Sequence, residues 1–284
     1  AVLPATHPDL ARSYSNIAGS YGALGENNKA LEYDLKALAI REAVLPATHP
    51  DLARSYSNIA GSYGALGENN KRLEYDLKAL AIREAVLPAT HPDLARSYSN
   101  IAVSYGALGE NNKRLEYDLK ALAIREAVLP ATHPDLASSY SNIAVSYGAL
   151  GENNKALEYD LKALAIREAV LPATHPDLAS SYSNIAVSYG ALGENKKRLE
   201  YDLKALAIRE AVLPANHPDL ALSYNNIAVT YYYNEDLDRA LTYMHRAVTL
   251  REQVLPANHP DLLSSRESLI FLEKAVQKRN NTAD

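Results

Sequence analysis

The sequence predicts an all-α protein built as a right-handed α-solenoid, and three observations carry this prediction. Residues 1–42 recur at residues 43–84 with one substitution, and similar units start at residues 85, 127, 169 and, more loosely, 211. Apolar residues within each unit follow the helical period. No segment shows the alternation of a half-buried strand. Units of this kind bury their apolar faces against their neighbours, so we expect a stack of repeats.

The first helix of each unit is predicted from local signals at both ends. Pro8 and Asp9 suit a helix start, because proline is preorganised for the first position and an acidic residue favours the positive helix end. Gly25 is a typical stop. One apolar stripe lies between them, formed by Leu10, Ala11, Tyr14, Ile17, Ala18, Tyr21 and Leu24.

The second helix is predicted to start at a cap formed by Asn27 or Asn28 and to end before Pro46. Its apolar stripe consists of Leu31, Leu35, Leu38 and Leu45, flanked by Ala37, Ile40 and Val44. Its charged residues fall mostly off this stripe, so we expect them to be solvated: Lys29, Glu32, Lys36, Arg41 and Glu42.

An aspartate interrupts the apolar pattern of the second helix. Asp34 recurs as Asp76, Asp118, Asp160 and Asp202, and the sixth unit has Met244 there, which indicates a position facing the core. A buried carboxylate needs a partner. The candidates are a tyrosine hydroxyl or an arginine four residues earlier, where the chain has Arg72, Arg114 and Arg198. We interpret the aspartate as structural rather than catalytic.

Composition excludes several function classes. The chain has 34 acidic against 29 basic residues, which argues against nucleic acid as a partner. It has no cysteine, and no apolar run long enough to span a membrane. We therefore expect a cytoplasmic protein without cofactors.

Repetition also argues against a catalytic or metal site. Seven histidines recur at 42-residue spacing from His7 to His259, which is too far apart in stacked helices for one metal ion. They are expected to form turns at helix starts. Serines accompany them, but no nucleophile elbow or glycine-rich loop is present, so we predict no enzymatic activity.

The unit resembles the tetratricopeptide repeat in the 42-residue form of kinesin light chains. The resemblance rests on Ser15 to Tyr21 followed by Gly25, on Ala30-Leu31 with Ala37 to Glu42, and on His7-Pro8-Asp9. It covers residues 5 to about 275. Tyr14 stands at the usual tryptophan and Ala18 at the usual glycine. The resemblance implies a non-catalytic scaffold that binds an extended, acidic peptide in a concave groove lined by first helices.

The groove-facing residues follow from this resemblance. Unit position 16 is asparagine throughout, and position 12 changes from arginine to serine and then to Leu222. Position 19 changes from glycine to valine, and the sixth unit adds two tyrosines. The predicted peptide site consists of Arg12, Asn16, Arg54, Asn58, Arg96, Asn100, Asn142, Asn184, Asn226, Tyr232 and Tyr233. The alternative is that the asparagines tie neighbouring helices together and that the variable positions drift in solvent.

We expect the first unit of the array to have an uncovered face and the last unit to be covered. Ala1 to Pro4 resemble the end of a preceding helix, so the face of Tyr14, Ile17 and Tyr21 is expected to be uncovered and to allow self-association. Six units at residues 1–259 are expected to be followed by a capping helix and frayed tail at residues 260–284. The cap would use Leu269, Leu272 and Val276, and fraying is expected from Asn280.

Other functional interpretations stay open. The array could be a structural module whose repeats stack end to end, a regulatory arm of a larger signalling protein, or an excised or designed repeat without a ligand of its own.

Overall fold

The computed structural model describes Pro4 and residues 6–282, and the described part is all α-helical, as predicted. The prediction that Ala1 to Pro4 end a preceding helix lies, apart from Pro4, outside the described residues. The helices are α1 (Pro8–Ala23), α2 (Asn27–Val44), α3 (Pro50–Ala65), α4 (Asn69–Val86), α5 (Pro92–Ala107), α6 (Asn111–Val128), α7 (Pro134–Ala149), α8 (Asn153–Val170), α9 (Pro176–Ala191), α10 (Asn195–Val212), α11 (Pro218–Tyr233), α12 (Leu237–Val254) and α13 (Pro260–Thr282).

The helices form two compact parts that divide between Ala131 and Thr132. Within each part, extensive packing joins helices that are neighbours in the chain. The first and second helices of one unit pack together, and the second helix also packs on the first helix of the next unit. One such core contains Leu38, Ile59, Tyr63 and Ile82. Each interface is therefore local in sequence, as expected of tandem helix pairs.

The starts and ends of the first helices confirm the sequence signals. The backbone N–H of Asp9 donates to Nδ1 of His7 over 3.1 Å, which caps α1. The corresponding histidines cap α3, α5, α7, α9 and α11 in the same way. Gly25 has a φ of 75°, which favours glycine over other residues, so the predicted helix stop is explained by backbone conformation.

The second helices depart from prediction at their starts. Helix α2 begins at Asn27, but its N-cap residue is Glu26, and no side chain caps it. The predicted asparagine cap is wrong. Leu35 is exposed, whereas Leu38 and Ile40 are buried, so the leucine stripe is only partly buried.

Arg41 was expected to be solvated, and that prediction is wrong. Its side chain is buried and donates from Nη1 to the hydroxyls of Ser15, at 3.0 Å, and Ser55, at 2.6 Å. Arg167 bonds Ser141 and Ser181 in the same manner. The guanidinium is buried because serines from two successive first helices accept its hydrogen bonds.

Helix α13 covers the end of the second compact part. Leu272 is buried, and Leu269 packs on the same core, with Met244 and Tyr231 of the sixth unit. The helix continues to Thr282, and residues 283 and 284 lie outside the described part, so the expected fraying from Asn280 stays a prediction. Arg279 holds this end, since its Nη2 lies 2.8 Å from Oδ1 of Asp238 on α12.

Candidate interaction surface

The predicted peptide site lies on one face of the first helices, here named the first-helix face and defined by unit positions 12, 16 and 19. Residues at i, i+4 and i+7 share one side of a helix. In α3 these residues are Arg54, Asn58 and Gly61, and all three are exposed. In α7 and α9, unit position 19 is occupied by Val145 and Val187, and both valines are exposed. The face is therefore accessible within each compact part.

Asparagine side chains run along this face without internal partners. Within the described part of the chain, none of their side-chain amides hydrogen-bonds another residue. The interpretation that they tie neighbouring helices together therefore lacks support. A free amide can both donate to and accept from a ligand backbone. These residues are Asn16, Asn58 and Asn100 in the first part and Asn142, Asn184 and Asn226 in the second.

The three arginines at unit position 12 are exposed but have partners. Nη2 of Arg12 lies 2.9 Å from Oδ1 of Asp9, three residues earlier on the same helix. Arg54 pairs with Asp51 and Arg96 with Asp93 at the same distance. Exposed pairs of this kind contribute about 0–1 kcal/mol. The arginines can therefore exchange their partner for a ligand carboxylate, but they do not form a patch of unpaired positive charge.

At two places on this face, a pocket opens where adjacent units meet. In the first part it has a volume of about 440 Å³ and is lined by Gly22, Ala30, Asp34, Asn58 and Gly61, among others. In the second part it has a volume of about 360 Å³, with equivalent lining by Gly148, Ala156, Asp160, Asn184 and Val187. Each pocket places an asparagine of the face beside a buried aspartate.

The repeated aspartate has a hydroxyl partner that sequence reasoning missed. Ser62 of the next unit donates to Oδ2 of Asp34 over 3.0 Å, and Thr230 donates to Asp202 over 3.0 Å. The sequence signal was the retention of a hydroxyl at unit position 20 even in the divergent sixth unit, where threonine replaces serine.

Of the two partners that the sequence suggests for the repeated aspartate, the arginine contacts it and the tyrosine bonds elsewhere. The arginine partner is confirmed, since Nε of Arg72 lies 3.7 Å from Oδ2 of Asp76. The tyrosine hydroxyl instead donates to a glutamate, as Tyr56 does to Glu42 over 2.9 Å.

Burial raises the pKa of Asp34 and of Asp160 to about 6, against the opposing effects of the serine hydroxyl and of a nearby arginine. That arginine is Arg41 for Asp34 and Arg167 for Asp160. The pKa of Asp76 and that of Asp202 are also raised by burial, with Arg72 and Arg198 acting in the opposite direction.

The sixth unit forms an apolar pocket instead. It has a volume of about 290 Å³ and is lined by Val229, Tyr232, Met244 and Phe271, among others. The ring of Tyr232 lies edge-on to that of Phe271, with centroids 5.5 Å apart. Tyr233 is exposed and does not line the pocket. Phe271 was not predicted, because the sequence argument assigned only the covered side of α13.

The described residues contain neither a metal-binding cluster nor a membrane-spanning helix. Among them, no three histidine, aspartate or glutamate side chains are grouped so that they could hold a metal ion. None of the described helices has the length and apolarity needed to cross a bilayer.

Comparison with protein families gives a consistent assignment. The sequence matches the Tetratricopeptide repeat family over residues 9–85, 93–169 and 135–211, and a second description of the same repeat matches residues 220–261. These segments cover well over half of the chain. No curated protein matched the sequence.

Solved structures share the fold. A variant of a putative kinesin light chain from Podosopora anserina, with nearly identical TPR-like repeats, is 28% identical, with a TM-score of 0.66 over 72% of this chain and 96% of that one. BtubC from P. vanneervenii is 21% identical, with a TM-score of 0.66 over 89% and 93% of the two chains. A signal-transduction ATPase from Pyrococcus horikoshii, described as having a tetratricopeptide repeat sensor, is 18% identical, with a TM-score of 0.76 over 94% and 39%.

Proposed function

The chain belongs to the tetratricopeptide repeat family, and from this premise we propose that it is a non-catalytic scaffold binding an extended segment of another protein along the first-helix face. One observation carries the proposal: the first helices of successive units present asparagine amides that hydrogen-bond no side chain or backbone group among the described residues. An extended peptide exposes backbone N–H and C=O groups in a row, and an amide side chain satisfies both kinds of group.

We further propose that the ligand carries acidic side chains or a free C-terminus where it meets the first three units. Arg12, Arg54 and Arg96 stand one helical turn before Asn16, Asn58 and Asn100. Arginine grips a carboxylate through two parallel hydrogen bonds. Because each arginine already pairs with an aspartate, the ligand competes with that pair. The acidic preference is therefore modest and salt-sensitive.

The test compares two pairs of asparagine variants against an array of extended peptides. Asn58→Ala with Asn100→Ala removes amides from the first-helix face, whereas Asn70→Ala with Asn112→Ala removes exposed amides from second helices as a matched control. We expect the first pair to weaken binding by about tenfold, as for the loss of two hydrogen bonds, and the control pair to leave it unchanged. Equal effects of both pairs would contradict the assigned face.

The charge preference is tested with Arg12, Arg54 and Arg96 changed to serine. Units four and five already carry Ser138 and Ser180 there, so the variant is expected to fold. Binding of acidic peptides should fall about threefold, and binding of uncharged peptides should not change. If acidic peptides bind the triple-serine variant as tightly as the parent, the proposed preference for acidic ligands is contradicted. That result would not contradict peptide binding on the first-helix face.

Self-association is a second candidate, favoured by one observation. Ile17 of α1 is 38% exposed, whereas its counterparts Ile59 and Ile101 are fully buried against the preceding unit. A second copy of this chain would cover the face of Ile17. Sedimentation velocity of the 284-residue chain should then show association with concentration that Ile17→Lys abolishes. Val86→Lys, at an exposed apolar residue of α4, is the control. A chain that stays monomeric at every concentration would eliminate this candidate.

A further inference from the structure

The buried aspartate of the first five units has an arginine ion-pair partner in some units and none within 4.0 Å in others. Arg72, Arg114 and Arg198 occupy unit position 30 in units two, three and five, and alanine occupies it in units one and four. Nε of each arginine lies 3.6–3.7 Å from the aspartate four residues later. In those units the chain supplies its own guanidinium to a carboxylate that is almost completely buried.

A glycine makes room for this guanidinium. A Cβ built on Gly64 would lie 2.9 Å from Cδ of Arg72 and 3.2 Å from its Nη1. Gly106 and Gly190 stand in the same relation to Arg114 and Arg198. A side chain at this position would push the arginine away from its aspartate. Close approach of an arginine side chain therefore explains the glycine at unit position 22 in units two, three and five.

Units one and four keep the glycine and the aspartate but lack the arginine. A Cβ on Gly22 would meet nothing within 4 Å, and one on Gly148 would meet only Cβ of Ala156 at 4.0 Å. The space is the pocket of about 440 Å³ at Asp34 and that of about 360 Å³ at Asp160. These two volumes open where the other units hold an arginine.

The carboxylates in the open pockets are incompletely compensated. Asp34 is 6% exposed and Asp160 is 5% exposed. Ser62 donates to Asp34 over 3.0 Å and Ser188 donates to Asp160 over 2.8 Å, and no ion pair within 4.0 Å reaches either carboxylate in the described residues. Burial raises the pKa of both to about 6, so both are mostly ionised at neutral pH. A buried negative charge without a directly paired counter-ion favours binding of a cation.

We propose that the pockets at Asp34 and Asp160 each bind the arginine side chain of a partner protein, in the place that Arg72, Arg114 and Arg198 fill in the other units. The internal arginines show that an arginine side chain fits beside the glycine and comes within 4 Å of the carboxylate. The planar group suits the site better than a lysine ammonium, because it can donate to the carboxylate while it packs flat on the glycine backbone. The identity of the natural ligand rests on the proposed function, whereas the affinity of the pocket for a guanidinium does not.

Ethylguanidinium chloride is the probe, titrated into the full chain and followed by calorimetry at constant ionic strength maintained with sodium chloride. Ala30→Arg with Ala156→Arg copies the other units and should fill both pockets, lowering binding at least about tenfold while the helical spectrum is retained. Arg72→Ala empties a third pocket, and the number of sites should rise from two towards three. Both variants carry residues that the chain already uses at unit position 30.

Two controls define what would overturn the proposal. Ethylammonium chloride should bind more weakly than ethylguanidinium, and equal binding of the two would reject a guanidinium site. Equal binding of ethylguanidinium to the parent and to the filled double variant would reject the pockets altogether.

A peptide with one arginine between uncharged residues links the pocket to the first-helix face. It should bind the parent more tightly than its citrulline counterpart, and the filled variant should lose that difference. If ethylguanidinium binds while Asn58→Ala with Asn100→Ala leaves peptide binding unchanged, the pocket stands and the proposed peptide face fails. If peptides bind through the asparagines and ethylguanidinium does not bind, the proposed function stands and the pocket fails.

Discussion

A single residue position determines the electrostatics of each pocket on the first-helix face. Arginine at unit position 30 places a positive charge 3.7 Å from Asp76, and alanine leaves Asp34 with a serine hydroxyl as its hydrogen-bond donor. The sixth unit has Tyr232, Ala240 and Met244 at the equivalent positions, and its pocket is lined mostly by apolar residues. Near-identical backbones therefore carry three kinds of pocket: filled and paired, open and acidic, and open and apolar.

The raised pKa of Asp34 and Asp160 predicts how stability depends on pH. An unfolded aspartate has a pKa of about 4, against about 6 in the folded chain. Below pH 4 both states are protonated and the burial has no electrostatic cost. Between pH 4 and 6 the unfolded chain loses its protons first, so the free energy of unfolding falls as pH rises. The decrease in the free energy of unfolding is complete above pH 6 and amounts to at most about 3 kcal/mol per aspartate.

Ala30→Arg with Ala156→Arg should reduce this fall, because a guanidinium then stabilises each ionised carboxylate alongside Arg41 and Ser62, or Arg167 and Ser188. The measurement is the urea midpoint at pH 4, 5, 6 and 7 for the parent and the variant. Ala43→Arg with Ala169→Arg adds the same charge at exposed positions and is the control. Identical pH profiles for the parent and the filled variant would show that Asp34 and Asp160 do not cause the decrease in stability between pH 4 and 6.

Residue-scale prediction from the sequence succeeded where the partner lies close in the chain. Arg72 was predicted to pair with Asp76, which lies one helical turn away. Ser62 was missed as the partner of Asp34 because it lies 28 residues later and is adjacent only after the units stack. Arg41 was misassigned to solvent for the same reason, since its acceptors Ser15 and Ser55 belong to two different helices.

At the scale of elements, helix ends set by local backbone chemistry were predictable and others were not. Proline and histidine fix the starts of the first helices, and a glycine with positive φ ends them. Helix α2 has no side-chain cap, so no capping residue marks its start at Asn27. The second helices bury Asp34 and Arg41 together with Leu38, and this mixed face weakens any stripe that a sequence can show.

Helix α13 differs in sequence from the first helices of the other units. It keeps the proline start and the buried leucine of a first helix, but Arg266 replaces the tyrosine of unit position 14. Arg266 donates from Nη2 to Glu252 over 2.6 Å, and so it makes the contact that Tyr56 makes with Glu42. The substitution keeps the interface to the preceding helix. Exposed Ile270 and Phe271 add an apolar surface that the predicted capping role alone does not require.

At the scale of the whole molecule, the repeat period predicted the fold class because each unit needs only its neighbours. Within each compact part, extensive packing joins helices that follow each other in the chain, so the sequence of one unit contains most of the information for each interface. The division between Ala131 and Thr132 was not predicted, because no change in the repeat marks it. Differences among near-identical units at positions 12, 19 and 30 carry the information about the site, but their contacts were visible only in three dimensions.

The last prediction concerns how stability depends on the number of units. Because the units are nearly identical in sequence, one of them can be deleted without changing the sequence at the junction. Deleting residues 43–84 removes one whole unit and leaves the local sequence at the junction unchanged, because Ala85-Val86 replaces Ala43-Val44 after Glu42. The shortened chain should fold with the same helical spectrum per residue. Its melting temperature should fall, because one unit and one interface are lost, by about 2–4 °C for each kcal/mol of stability removed. Deleting residues 43–126 should lower it further. Calorimetric melting of the three chains makes the comparison, and equal melting temperatures would contradict a stability that accumulates from neighbouring units.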